Sequence, residues 1–104
     1  MSFAPIQQEV DSWISQFEEG YFAPLAMLAR LTEEVGELAR VIMHVHGGKK
    51  PKLTEREGDL AEEIADTIFV LICLANSQGI DLDQAFEGMM RKYRERDSDR
   101  WTRK

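Results

Sequence analysis

The sequence predicts an all-α fold, a small helical bundle, and three observations predict it. Apolar residues recur at three- and four-residue intervals rather than alternating, Pro and Gly fall at four places that separate these stretches, and polar residues suited to N-terminal capping stand before two of them. No segment carries the period-two pattern of a half-buried strand, and there is no internal repeat or low-complexity tract. With 104 residues, 43% hydrophobic and 31% charged, the chain reads as one domain over 1–104 that ends in a polar tail, 97–104.

The first helix is expected around Pro5, which suits a first turn. Ile6, Val10, Trp13, Ile14 and Phe17 follow at helical spacing, and Gly20 supplies a stop. Pro24 opens the second pattern, which runs from Leu25 to about His46 and closes on Gly47 and Gly48. The basic stretch Gly48-Lys49-Lys50-Pro51-Lys52 reads as a loop. Thr54 with Glu57 and Asp59 with Glu62 both have capping-box spacing for the third helix, which runs to about Ser77. After Gln78 and Gly79, Asp81 caps a fourth helix that continues to about Arg96.

Composition narrows the function. A net charge of −6 and a pI near 4.9 argue against a nucleic-acid partner, which calls for a basic stripe. The single cysteine, Cys73, lies in the apolar run Ile68–Ala75 and reads as a small core residue. No signal-peptide pattern opens the sequence and no apolar run approaches the roughly 18 residues of a membrane span, so a cytoplasmic protein without a membrane partner is expected. A domain this small buries a modest share of its surface, which favours self-association.

The carboxylates carry the chemistry. On the second helix Glu33, Glu34 and Glu37 crowd within five residues, and like charges at this spacing repel. On a helical wheel Glu34 projects between Met27 and Val41, at the margin of the apolar arc formed by Leu31, Val35, Leu38, Ala39 and Ile42. On the third helix Glu63 and Asp66 share a stripe with Val70, Cys73 and Leu74. A carboxylate that faces apolar surroundings must be neutralised, paired or bound to a cation. A loop of about ten residues makes the second and third helices antiparallel neighbours, which can set Glu34 and Glu37 opposite Glu63 and Asp66. Oxygen donors without cysteine or histidine select Mg²⁺, or Mn²⁺ in its place, and such an ion keeps positions that phosphate oxygens can fill. The alternative is a set of solvated acids paired with residues such as Arg30 and Arg40.

Glu33-Glu34-x-x-Glu37 followed by Glu63-x-x-Asp66 resembles the signature of the MazG-like, all-α nucleotide pyrophosphohydrolases. The likeness extends to Tyr21–Leu28, to Glu33–Ala39 and to the apolar run after Asp66, and it covers most of residues 20 to 96. It implies a bundle of four to five helices completed by dimerisation, or by pairing of dimers into tetramers. It implies Mg²⁺-dependent conversion of a nucleoside triphosphate to a monophosphate and pyrophosphate, in a role of clearing non-standard or surplus nucleotides. The metal ligands it implies are Glu34, Glu37, Glu63 and Asp66, with Glu33 orienting water. It also places Lys92, Arg94 and Arg96 against the phosphates, and it sets His44 where relatives often carry an aromatic that packs on the base. A solvated basic face and a histidine favoured by the helix C-terminus are the plainer readings of these last four residues. Where some relatives have an asparagine, this chain has Met89, Met90 and Tyr93. Trp13, Phe17, Tyr21 and Phe22 read as core or dimer packing before they read as a base pocket.

Two rival readings remain. A ferritin-like di-iron bundle requires Glu-x-x-His pairs, but the residues three after Glu34, Glu37 and Glu63 are Glu37, Arg40 and Asp66. A non-catalytic helical dimerisation or adaptor module, or a degenerate nucleotide-binding relative, is the other.

Overall fold

The computed structural model describes residues 1–48, 50–52 and 59–104. They form four helices, α1 (Phe3–Ile14), α2 (Pro24–Val45), α3 (Leu60–Ser77) and α4 (Leu82–Arg96), with no strand among the described residues. The fold is all-α, as the periodicity predicts. Lys49 and the Thr54/Glu57 cap lie outside the described residues.

The local signals for starts and stops act at the expected places. Pro24 occupies the first turn of α2. Asp59 accepts from the amides of Ala61 at 2.9 Å and Glu62 at 3.4 Å, so α3 starts on a capping aspartate. Asp81 does the same for α4, accepting from Asp83 at 2.9 Å and Gln84 at 3.2 Å. Gly48 after α2 and Gly79 after α3 take the left-handed conformation, with φ of 73° and 67°, that other residues enter at a cost.

α1 meets the sequence expectation at its start, where Pro5 lies in the first turn, and ends earlier than expected, at Ile14. It begins at Phe3 because Asp83 of α4 accepts from the amides of Phe3 at 2.9 Å and Ala4 at 3.2 Å, supplying from 80 residues away a cap that Ser2 does not make. Pro5 therefore sits inside the first turn, where its missing N–H leaves no bond unmade. After Ile14 the chain tightens into i→i+3 turns, Phe17 to Ile14 at 3.1 Å and Gly20 to Phe17 at 3.2 Å, so Phe17 and Gly20 lie in the connection rather than in the helix.

α2 and α3 pack together as a hairpin, α1 lies across α3, and α4 packs on α1, where the rings of Phe3 and Phe86 meet at 5.4 Å. Val10, Met27, Ile72 and Cys73 form the buried cluster, with Ile14, Tyr21, Phe69, Leu74 and Leu82 against it. Val41 is fully buried. A polar network fastens α1 to the end of α3. The Gln7 side-chain amide donates to Asn76 and to the Ile80 carbonyl, both at 2.9 Å, and Asn76 donates to the Tyr21 hydroxyl at 3.0 Å. Tyr21 in turn donates to Asp11 at 2.6 Å. Burial first, and then that bond to a carboxylate, push the Tyr21 phenol up to about 12.

The chain is open. Its radius of gyration is 17.3 Å, against about 13 Å for a compact domain of this length. Its accessible area is 8351 Å², against about 6,000 Å² for a 12 kDa monomer. The excess is apolar in character: Leu28, Val35 and Ile42 form an exposed stripe along α2, and Ile64, Ile68 and Leu71 form one along α3. α4 buries none of its residues.

Candidate metal centre

The hairpin brings three acids to one point. Glu34 from the middle of α2 and Glu63 and Asp66 from the start of α3 each offer a carboxylate oxygen, and these atoms all lie within 4.8 Å of one another. Two oxygens on one octahedral Mg²⁺ are about 3.0 Å apart when adjacent and about 4.2 Å when opposite, so side-chain rotations that draw the oxygens in by up to about 2 Å would let the three close on a hard cation. All the donors are oxygens, the set that Mg²⁺ or Mn²⁺ prefers. The residues fit the ion.

Helical geometry explains the placement. Glu34 projects between the buried Met27 and Val41, and its side chain is only 15% exposed. Glu63 and Asp66 are one turn apart and share a face, with Asp66 outermost. Glu62 and Glu63 occupy the first turn of α3, where the helix N-terminus favours negative charge. Even so, the Glu63 carboxyl is held above its usual range, first by burial and then by Asp66, Glu37, Glu34 and Glu62 around it. A carboxylate surrounded by four others is a position that a divalent cation relieves.

The other expected site residues are placed as follows. Glu37 is close enough to act on Glu63, but its carboxylate is half exposed and bonded to Arg40 at 3.0 Å, and it is not one of the three converging acids. Glu34 is likewise paired, with Arg30 Nε at 3.2 Å, so both ion pairs of the plainer reading exist beside the cluster. Glu33 is exposed and lines a shallow groove with Phe22, Ala26, Ala29 and Arg30. His44 is half-buried near the end of α2, about 15 Å along the axis from Glu34. Lys92, Arg94 and Arg96 are exposed on α4, which packs on α1 rather than on the hairpin. Arg96 pairs with Asp97 at 3.0 Å, and the Lys92 ammonium lies 5.7 Å from the centre of the Tyr93 ring.

One turn from the acids, toward the N-terminus of α2, lies a cavity of about 180 Å³ lined by Trp13, Tyr21, Phe22, Phe69 and Cys73, with Arg30 at its polar side. Of the four aromatics expected as core or dimer packing, Tyr21 packs against the buried cluster and also lines this cavity. Trp13 and Phe22 are more than half exposed and rim the opening, with Phe17 edge-on to Trp13 at 5.1 Å. The sequence presents Arg30 only as a partner for nearby acids. Its signal is that no Lys or Arg precedes it and that it stands one turn before Glu34.

The model of the MazG nucleotide pyrophosphohydrolase domain matches residues 22–101, which span both acidic helices and α4. The chain belongs to the MazG nucleotide pyrophosphohydrolase family. It is accordingly an enzyme, a hydrolase of that class. It is similar to the uncharacterised protein YpjD of Bacillus subtilis strain 168, at 59% identity over 95% of this chain and 89% of that protein. Among solved structures it is similar to YPJD of Bacillus subtilis, provisionally described as a pyrophosphatase, with a TM-score of 0.79 and 54% identity over 89% of this chain and 95% of that one. It is also similar to a Bacillus-conserved MazG protein described as a nucleotide pyrophosphohydrolase, with a TM-score of 0.78 and 47% identity over 95% and 96% of the two chains. This MazG chain therefore shares a fold with proteins of closely related sequence along nearly its whole length.

Proposed function

We propose that this protein hydrolyses nucleoside triphosphates to a monophosphate and pyrophosphate with Mg²⁺ held by Glu34, Glu63 and Asp66. The observation that carries the reading is the convergence of those three carboxylates beside a cavity fit for a base. Glu37 joins the ligand set once Arg40 is displaced. Bound there, a divalent ion would supply Lewis acidity, lowering the pKa of a neighbouring water and offsetting charge on the phosphoryl oxygens.

The chain's own residues do the rest. Glu63, crowded by its neighbours, takes up a cation readily when deprotonated. Glu33, adjacent to Glu34 and open to the groove, orients the attacking water. The cavity receives the base: an apolar cavity of about 150 Å³ is enough for one six-membered aromatic ring, and this one is somewhat larger. Its aromatic rim lowers water access and offers faces for stacking.

A second copy of the chain completes the site in this proposal. The excess of about 2,400 Å² of exposed surface is well beyond the roughly 800 Å² per partner of a standard interface. The apolar stripes of α2 and α3 are laid out to pair with the same stripes of another hairpin as a four-helix bundle. Such pairing, as a dimer or a dimer of dimers, would carry Lys92, Arg94 and Arg96 of one copy toward the phosphates and its His44 toward the base. The working role in this reading is removal of non-standard or surplus nucleotides in the cytoplasm.

The test is pyrophosphate release from a panel of nucleoside triphosphates with Mg²⁺, comparing the parent with Glu37→Ala and Asp66→Ala. The expected result is turnover by the parent and loss of at least about a hundredfold in each variant. A parent that releases no pyrophosphate from any of them overturns the reading.

A further inference from the structure

Arg30 stands where the two halves of the site meet. Its Nε donates to Glu34 at 3.2 Å, and its side chain also lines the cavity with Trp13, Tyr21, Phe22 and Phe69. Among the described residues it is the one cation in that lining. Its charge is felt across the cavity: burial pushes the Cys73 thiol up, and the Arg30 guanidinium partly holds it back.

Two demands thus fall on one group. Without a cation, Arg30 neutralises an acid that is 15% exposed and directed at Glu63 and Asp66. The pair is an i,i+4 contact with the arginine side chain half exposed, a weak class of ion pair that exchanges easily. When Glu34 turns its oxygen to a divalent ion, Arg30 loses that partner and is repelled by the new charge. It remains tethered at the cavity, with donors in a rigid planar fork and no acceptor.

We propose that Arg30 determines base specificity by coupling the two places: it leaves Glu34 as a divalent cation is taken up and turns its donors on the edge of the base in the cavity. The proposal rests on the pyrophosphohydrolase reading above. A group with donors only selects bases that present carbonyl oxygens or paired acceptors, as guanine does with O6 and N7, and disfavours those that present an amino group at that edge. Keto bases (guanine, uracil, thymine) are therefore preferred over amino bases (adenine, cytosine).

The experiment uses two calorimetric titrations of the full chain. Mn²⁺ is titrated alone, and the α,β-imido analogues of GTP, UTP, ATP and CTP are titrated at saturating Mn²⁺. The parent is expected to bind the keto analogues about tenfold or more tighter than the amino ones. In Arg30→Met the competing charge is gone, so Mn²⁺ alone should bind about two- to fivefold tighter. In the same variant the keto analogues should bind about tenfold weaker and the preference should vanish. Arg30→Lys keeps the charge and loses the fork, so its Mn²⁺ affinity should stay near the parent's while the preference is lost. A merely structural arginine would weaken metal and analogue binding together, and that result overturns the proposal. So does a parent without keto preference, or an Arg30→Met variant with unchanged Mn²⁺ binding. If the parent binds no analogue, the pyrophosphohydrolase reading fails and the proposal fails with it. If the parent binds analogues and the variants match it, the proposal alone fails.

Discussion

Replacing Asp66 by Asn tests the metal site with little disturbance to the fold, because Asp66 is exposed while its oxygen still lies within 4.8 Å of those of Glu34 and Glu63. The change leaves shape intact and takes one of three negative charges from the cluster. Loss of even a supporting partner costs about 10–100-fold in metal affinity, so a direct ligand should cost at least the upper figure. With Mn²⁺ at a hundred times the parent's Kd, the parent gains about 2.7 kcal/mol of stability, while a variant bound a hundredfold more weakly gains about 0.4 kcal/mol. At about 4–8 °C per kcal/mol for a domain of this size, Mn²⁺ should raise the parent's Tm by roughly 10–20 °C and the variant's by only about 2–3 °C. Thermal unfolding at pH 7 with and without chelator reads both values. Equal metal-induced shifts in parent and variant, or no shift in the parent, would refute the site. The metal-free arm has its own sign. The Glu63 carboxyl is raised by burial and then by Asp66, its largest neighbouring charge, so the folded chain holds that proton more tightly than the unfolded chain does. Its contribution is then fully present below the unfolded pKa and is lost as pH rises through the raised one. Metal-free stability should therefore fall over that interval, and Asp66→Asn should flatten the fall.

Three further outcomes are expected. Sedimentation equilibrium should find a dimer or larger species, and Leu28→Glu or Ile68→Glu, each placing a charge in an exposed apolar stripe, should shift it to monomer with loss of turnover. Asp83→Ala removes the carboxylate that caps α1 and should destabilise the chain by about 1 kcal/mol, read as a lower denaturant midpoint with unchanged slope. Spectrophotometric titration should find the Tyr21 phenol ionising at about 12, and Asp11→Asn should bring it down by removing a carboxylate that favours the neutral form. A Tyr21 that titrates near 10 in the parent would show that the network joining α1 to Asn76 does not form in solution.

What could be read from the sequence and what could not divide along the range of the interactions. Asp59 and Asp81 cap α3 and α4, and Gly48 and Gly79 take the left-handed conformation after α2 and α3, because each acts on backbone groups a few residues away. The Glu34/Glu63/Asp66 cluster is foreshadowed for a related reason. One helical turn sets which residues share a face, and a short connection makes α2 and α3 neighbours.

The remaining features depend on how the helices rotate and cross, which no local pattern encodes. α1 starts at Phe3 because of an aspartate 80 positions away. Glu37 leans to Arg40 instead of joining the three, since its place on α2 turns it toward solvent. Trp13 and Phe22 rim a cavity with more than half of their surface exposed, a placement that depends on how the helices pack. From its sequence alone, this protein declares four helices and an acidic pair of motifs. Only the packing of the hairpin decided which acids meet, and only it set Arg30 between them and the cavity, since each depends on contacts made across the chain rather than along it.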